Sequence, residues 1–198
     1  MKKGLLITLA VVGGLIFLGA SVFGGAYNGL VTREEGVTSA WSQVENVYQR
    51  RLDLIPNLVE TVKGYAAHEQ ETLQNVTNAR AKVAQMTISP DILNDPAKMK
   101  AFQDSQGQLT SALSRLLVVA EKYPDLKAAQ NFLALQTQLE GTENRVAVER
   151  RRFNEVAQAF NTFRRTFPNV VIANLMGFEK KAYFEADQAA ATVPQVQF

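Results

Sequence analysis

The sequence predicts an all-α protein in which one N-terminal transmembrane helix is followed by an antiparallel bundle of long helices. Three features predict it: an uncharged apolar run at the amino end, apolar residues recurring at alternating steps of three and four through the rest, and a composition led by Ala, Leu, Val, Gln and Glu. At 198 residues there is room for one ordinary domain and an appendage.

The appendage comes first. Residues 4–29 carry no charged side chain, and twenty of them in a helix would reach about 30 Å, the thickness of a bilayer core. A cleaved signal peptide competes with this reading, because Lys2 and Lys3 resemble its basic start and Gly24, Gly25 and Ala26 its small-residue cleavage site. The apolar run is longer than the core of such peptides, which favours the anchor. With Lys2 and Lys3 on one flank and Arg33, Glu34 and Glu35 on the other, the positive-inside rule puts residues 1–3 in the cytoplasm and the bundle outside a bacterial inner membrane. Ala20 and Gly24, like Gly25 and Gly29, are four apart, a spacing that lets membrane helices approach closely.

Residues 30–186 read as the bundle. A first seam runs through Val37, Trp41, Val44, Tyr48, Ile55, Leu58, Val62, Tyr65, Val76, Ala79, Val83 and Met86, interrupted only by Arg51, Glu69 and Thr72. Pro56 lies inside it; lacking an amide donor and clashing with the Leu52 carbonyl, it should kink a helix or join two. If it only kinks, the first helix outruns its return partner, and the stripe from Trp41 to Ile55 is left for neighbouring chains to cover; if it reverses the chain, the stripe is covered internally. Residues 86–99 read as a loop, with Asp95 an N-cap ahead of Pro96. A second seam follows through Phe102, Leu109, Leu113, Leu116, Ala120 and Tyr123. The third runs through Phe132, Leu135, Leu139, Val146, Phe153, Val156, Phe160, Phe163 and Phe167, with Thr142 and Glu149 polar, and Pro168 ends it. Aromatics at this spacing are expected to fill the core. A short helical piece, 170–176, precedes Gly177, and residues 187–198 read as a mobile tail.

Chemistry finds little support. With no cysteine and one histidine, thiolate metal sites and imidazole clusters are excluded; His68-Glu69-Gln70-Glu71-Thr72 has threonine where a zinc protease needs its second histidine, and His68 reads as a partly exposed helix residue. No G-x-S-x-G elbow, P-loop or G-x-G-x-x-G occurs. The expectation is no catalytic residue, no metal, no cofactor and no enzyme. Nor is nucleic acid an expected partner: with Lys2 and Lys3 set aside, the 21 basic residues fall to the same number as the 19 acidic ones. Arg150, Arg151 and Arg152, with Arg164, Arg165, Lys180 and Lys181, form the main basic cluster, read as a solvated flank paired with Glu149 and Glu155, or else as a docking face for an acidic partner or anionic lipid.

Several segments carry a resemblance: Tyr27-Asn28-Gly29-Leu30-Val31, Ala40-Trp41-Ser42-Gln43-Val44, Arg50-Arg51-Leu52-Asp53-Leu54-Ile55-Pro56-Asn57-Leu58, Ala79-Arg80, Glu121-Lys122-Tyr123-Pro124-Asp125, Arg151-Arg152-Phe153-Asn154 and Tyr183-Phe184. In this order they resemble the LemA family of bacterial membrane proteins. The resemblance implies one N-terminal membrane helix, an up-and-down four-helix bundle like that of bromodomains, and no established catalysis; one branch of the family takes part in magnetosome formation. It points to the Pro56 region as the place to look for function. The expected role is a membrane-anchored helical scaffold or interaction protein, self-associating or docking other membrane or envelope proteins, with a groove binding a peptide or small ligand as the alternative. Candidate interaction residues are Trp41, Tyr48, Arg51, Asp53, Pro56, Asn57, Arg151 and Arg152; Ala20, Gly24, Gly25 and Gly29 are candidates for packing between membrane helices.

Overall fold

A computed structural model describes residues 2–86 and 90–185, and the tail at 187–198 lies outside them. The described residues form helices and irregular segments without a strand. Helix α1, Lys2–Tyr65, is a single helix of 64 residues, about 96 Å long. Helix α2 spans Gln70–Gln85, α3 Pro96–Ala120, α4 Pro124–Ala128, α5 Gln130–Arg165 and α6 Asn169–Met176. Among the described residues α1 alone is long and apolar enough to cross a membrane, and its large apolar side chains from Leu6 to Phe23 are exposed. That composition and exposure fit a membrane anchor. Packing inside the chain starts at Ala26 and Leu30, so the helix whose apolar end fits an anchor continues unbroken as the first element of the body.

Pro56 neither joins two helices nor reverses the chain: α1 runs through it, and the reversal falls at residues 66–69. The Leu52 carbonyl, which loses its helical donor to the proline ring, accepts a hydrogen bond from Arg80 Nε of α2 at 3.0 Å. A reversed helix thus repairs the break, and an exposed Pro56 stays inside α1. Because the turn follows Tyr65, the first seam divides between α1 and α2, and His68 sits exposed in the turn, not on a helix. Asp95 caps α3, accepting from the amides of Ala97 and Lys98 at 2.8 and 3.2 Å. A 3-10 turn, Pro90–Leu93, buries Ile92 and Leu93 where the sequence suggested only a loop, and α4 adds a short helix after Tyr123.

Along α1 and α5 the numbers run in opposite directions. A side chain on Gly29 would meet Phe163, Gly36 faces Val156, Trp41 meets Phe153, and Arg51 pairs with Glu143. Helices α2 and α3 do the same, with Glu69 bonded to Tyr123 and Lys82 to Gln108. The stripe from Trp41 to Ile55 is therefore buried within the chain, which removes the exposed seam as a reason for self-association. Phe167 departs from its seam: α5 stops at Arg165, and the ring is left exposed beyond it.

The core falls into two apolar clusters. One, nearer the anchor, gathers Leu30, Val37, Trp41, Val44, Tyr48, Phe102, Phe153, Phe160 and Phe184. The other, at the far end, gathers Leu52, Ile55, Leu58, Leu109, Leu116, Leu126 and Phe132. Arg51 stands between them.

Candidate functional site

A heptad position that would ordinarily hold leucine carries Arg51, only 3% exposed. Its guanidinium spans the molecule, 3.2 Å from Glu143 Oε2 of α5 and donating to Thr110 Oγ1 of α3 at 2.6 Å. Burial pulls the Arg51 pKa down, and the Glu143 carboxylate opposes that shift. One turn earlier, burial drives the Tyr48 phenol up to about 12, with Arg150 and Arg51 acting the other way. These groups form a polar belt between the two clusters, and at its level a groove of about 960 Å³ opens. Tyr48 and Arg51 of α1, Gln106 and Thr110 of α3, and Glu143 and Arg150 of α5 are among its lining residues.

Gln106 is the unusual member. It is 5% exposed, yet neither its amide nitrogen nor its oxygen has a partner among the described residues. Buried carboxamides are ordinarily hydrogen-bonded, because leaving one desolvated and unbonded costs roughly 1–3 kcal/mol.

The use of other carboxamides nearby is informative. After Gly177 the chain runs extended to Glu185, laid along α5 and reaching α3. Asn161 donates to the Lys181 carbonyl at 2.9 Å and accepts from the Lys181 amide at 2.8 Å. Asn154 treats Phe184 in the same two-bond manner, both at 2.9 Å, and Gln103 treats Glu185 so at 3.1 and 3.2 Å. Asn154 and Asn161 lie seven residues apart, about 10.5 Å of helix rise, which matches the roughly 10 Å spanned by three extended residues. The Phe184 ring packs on Trp41 and Phe153, with the Arg150 guanidinium above it. Lys181, also buried, is held by Glu34 at 2.6 Å and Asn94 at 2.9 Å. This strap ends its described course at Glu185, on the rim of the groove that Gln106 lines.

Of the residues singled out from sequence, Tyr48 and Arg51 meet at the groove. Trp41 is buried beside it, its indole N–H donating to Glu45 at 2.8 Å. Asp53 is exposed and accepts from Gln49, while Pro56 and Asn57 are exposed on α1 away from the groove lining. Arg151 is exposed and Arg152 lies 3.9 Å from Glu149, both outside the groove lining; their neighbour Arg150 is the arginine that enters it. Ala20 and Gly25 are exposed and, among the described residues, nothing approaches Gly24 or Gly25, whereas Gly29 receives Phe163, whose ring would lie 2.7 Å from an added Cβ. The residues that sequence reasoning missed are Gln103, Gln106, Asn154 and Asn161. Their only signal was the seven-residue spacing of two asparagines beside an apolar seam.

Comparison with known proteins matches residues 40–198 to the model of the LemA family. Magnetosome protein MamQ of Magnetospirillum gryphiswaldense is 28% identical over 189 residues, covering 86% of this chain and 70% of the relative. Protein LemA of Metamycoplasma hominis is 26% identical over 167 residues, covering 84% and 72%.

Proposed function

The chain belongs to the LemA family, and from that premise we propose that it is a membrane-tethered, non-enzymatic interaction protein whose groove takes an extended polypeptide segment of another envelope protein. In this reading α1, α2, α3 and α5 are an antiparallel up-and-down four-helix bundle. Residues 1–3 lie in the cytoplasm and the bundle stands outside the inner membrane. The observation that carries the reading is the unpartnered carboxamide of Gln106, one turn along α3 from Gln103, which is one of three carboxamides that each grip one strap residue by two hydrogen bonds. The Gln106 carboxamide is buried beneath the groove, and a turn of its side chain toward the lining gives it, in a peptide amide, the donor and acceptor that it lacks inside the fold. Arg51, Arg150, Lys100 and Arg115 line the groove together with Glu143, Asp104 and Glu185, a mixed field suited to a polypeptide more than to a polyanion.

The test is selection of random 12-residue peptides on the full chain in nanodiscs, followed by affinity measurement on Gln106→Leu. Binders that lose about tenfold in affinity on that substitution support the reading. A set of binders indifferent to Gln106 contradicts it.

A self-associating scaffold is the second reading, and the open face at Gly24 and Gly25 favours it, since among the described residues nothing covers that surface. The relatives named as magnetosome proteins fit a role at membranes under either reading. A monomer in mild detergent at all concentrations would remove the scaffold reading.

A further inference from the structure

We infer that the corner between α5 and α6 lies in the membrane interface, with Phe167, Val171 and Leu175 seated among the lipids of the same bilayer that α1 crosses. The inference rests on the reading of α1 as an anchor. Phe167 is 84% exposed, Val171 58% and Leu175 74%, and Met176 extends the patch. Val171 and Leu175, spaced by four, share one face of α6, and Phe167 is exposed in the turn before it. The opposite face, with Asn169, Ile172 and Ala173, is buried.

Position names the occupant. The Phe178 ring, just past α6, packs edge-on against Tyr27 at 5.9 Å, and Tyr27 stacks on Phe23, the last large side chain of the exposed apolar run on α1. Phe163 of α5 meets Gly29 and carries the Arg33 guanidinium 3.7 Å above its ring. Tyr27 and Gly29 lie one to two turns beyond Phe23, about 6–9 Å along the axis. The headgroup layer beyond the hydrocarbon core is roughly 5–8 Å deep. The patch thus continues the lipid-facing surface of the anchor instead of standing apart from it.

The corner is also built to hold that face outward. Arg164 donates from Nε to the Phe178 carbonyl at 2.7 Å and from a terminal nitrogen to Asn174 at 3.2 Å. Gly177, at φ 77°, ends α6 in the left-handed conformation, and the Phe178 amide bonds back to the Ala173 carbonyl at 2.9 Å. Arg165 and Lys180 are exposed at either end of the patch, where long cationic side chains reach headgroups. An eight-residue helix is a weak membrane binder alone. Beside a spanning helix it acts as a second foot, fixing the tilt of the bundle and the direction in which the groove faces.

The chain has no cysteine, so single spin labels can be placed on the full-length protein in vesicles of phosphatidylethanolamine and phosphatidylglycerol. Labels at Phe167→Cys, Val171→Cys and Leu175→Cys are compared with Leu15→Cys in the anchor and Val148→Cys, exposed on α5 far from it. Collision with oxygen reports lipid, and collision with a water-soluble nickel chelate reports solvent. The expected oxygen-to-nickel ratio at the three corner sites is several-fold above that of Val148→Cys and approaches that of Leu15→Cys. A ratio equal to Val148→Cys overturns the inference while leaving the anchor intact if Leu15→Cys still reads lipid. Labels shielded from both reagents overturn it too: broadening that disappears on dilution with unlabelled chain would assign the face to a second copy, and its absence to cover by the chain itself. Solvent at Leu15→Cys would remove the anchor and the inference together.

Discussion

Pro56 and Arg80 are 24 residues apart in sequence and act on one atom, the Leu52 carbonyl oxygen. With Arg80→Met that oxygen loses its side-chain donor, and stability should fall by about 1–2 kcal/mol in urea unfolding. In a Pro56→Ala background the restored amide supplies the helical bond, so the same substitution should cost about 1 kcal/mol less; equal costs in both backgrounds would contradict the pairing. Tyr48 gives a second residue-level outcome. Its phenol is held up to about 12, against an ordinary value near 10, so the unfolded chain gives up this proton at lower pH than the folded one. Tyr48 therefore adds stability below pH 10 that is lost as pH rises from 10 to 12. The wild type should lose on the order of 2 kcal/mol more than Tyr48→Phe across that window, read by denaturant midpoints. Arg51 was legible as a polar break in an apolar seam, and Tyr48 as a member of it. Arg80 was not, because its role exists only once α2 has folded back onto α1.

Among the elements, the strap from Gly177 to Glu185 shows how far side-chain carboxamides can replace a neighbouring strand. In Asn161→Leu the Lys181 amide and carbonyl, both inside the protein, lose their partners together, and a loss of about 2–3 kcal/mol follows. Hydrogen exchange should show the Lys181 and Phe184 amides unprotected in that variant while the amides of α2 and α3 keep their rates; an unchanged Lys181 amide would contradict the assignment. The long helices were readable because heptad spacing persists for many turns. A nine-residue extended segment bonded by side chains has no period to read. Pro56 left two outcomes open in the sequence because its local cost, roughly 3 kcal/mol, is comparable with what a tertiary hydrogen bond and burial of Ile55 and Leu58 return. Phe167 kept its heptad register and still missed the core, since register has meaning only as far as the helix extends.

At the scale of the molecule, α1 is a rod whose apolar, exposed end fits a membrane anchor and whose other end threads both apolar clusters. The polar belt at Arg51 divides those clusters and leaves the groove between α3 and α5. In the proposed reading this rod, one helix from Lys2 to Tyr65, couples the groove to the membrane. In Gly29→Leu the added side chain meets Phe163, whose ring lies 2.7 Å from even a Cβ, so the contact between the rod and the end of α5 should open and the melting temperature should fall by several degrees. The claim on which the functional account turns is that Gln106 bonds the main chain of an extended partner. The most direct measurement is the side-chain amide resonances of Gln106, in full-length protein labelled with 15N-glutamine, before and after addition of a peptide selected on the groove. The account predicts downfield-shifted, slowly exchanging Gln106 amide protons with Overhauser contacts to the peptide backbone; saturation by the peptide with the Gln106 resonances unmoved would contradict it.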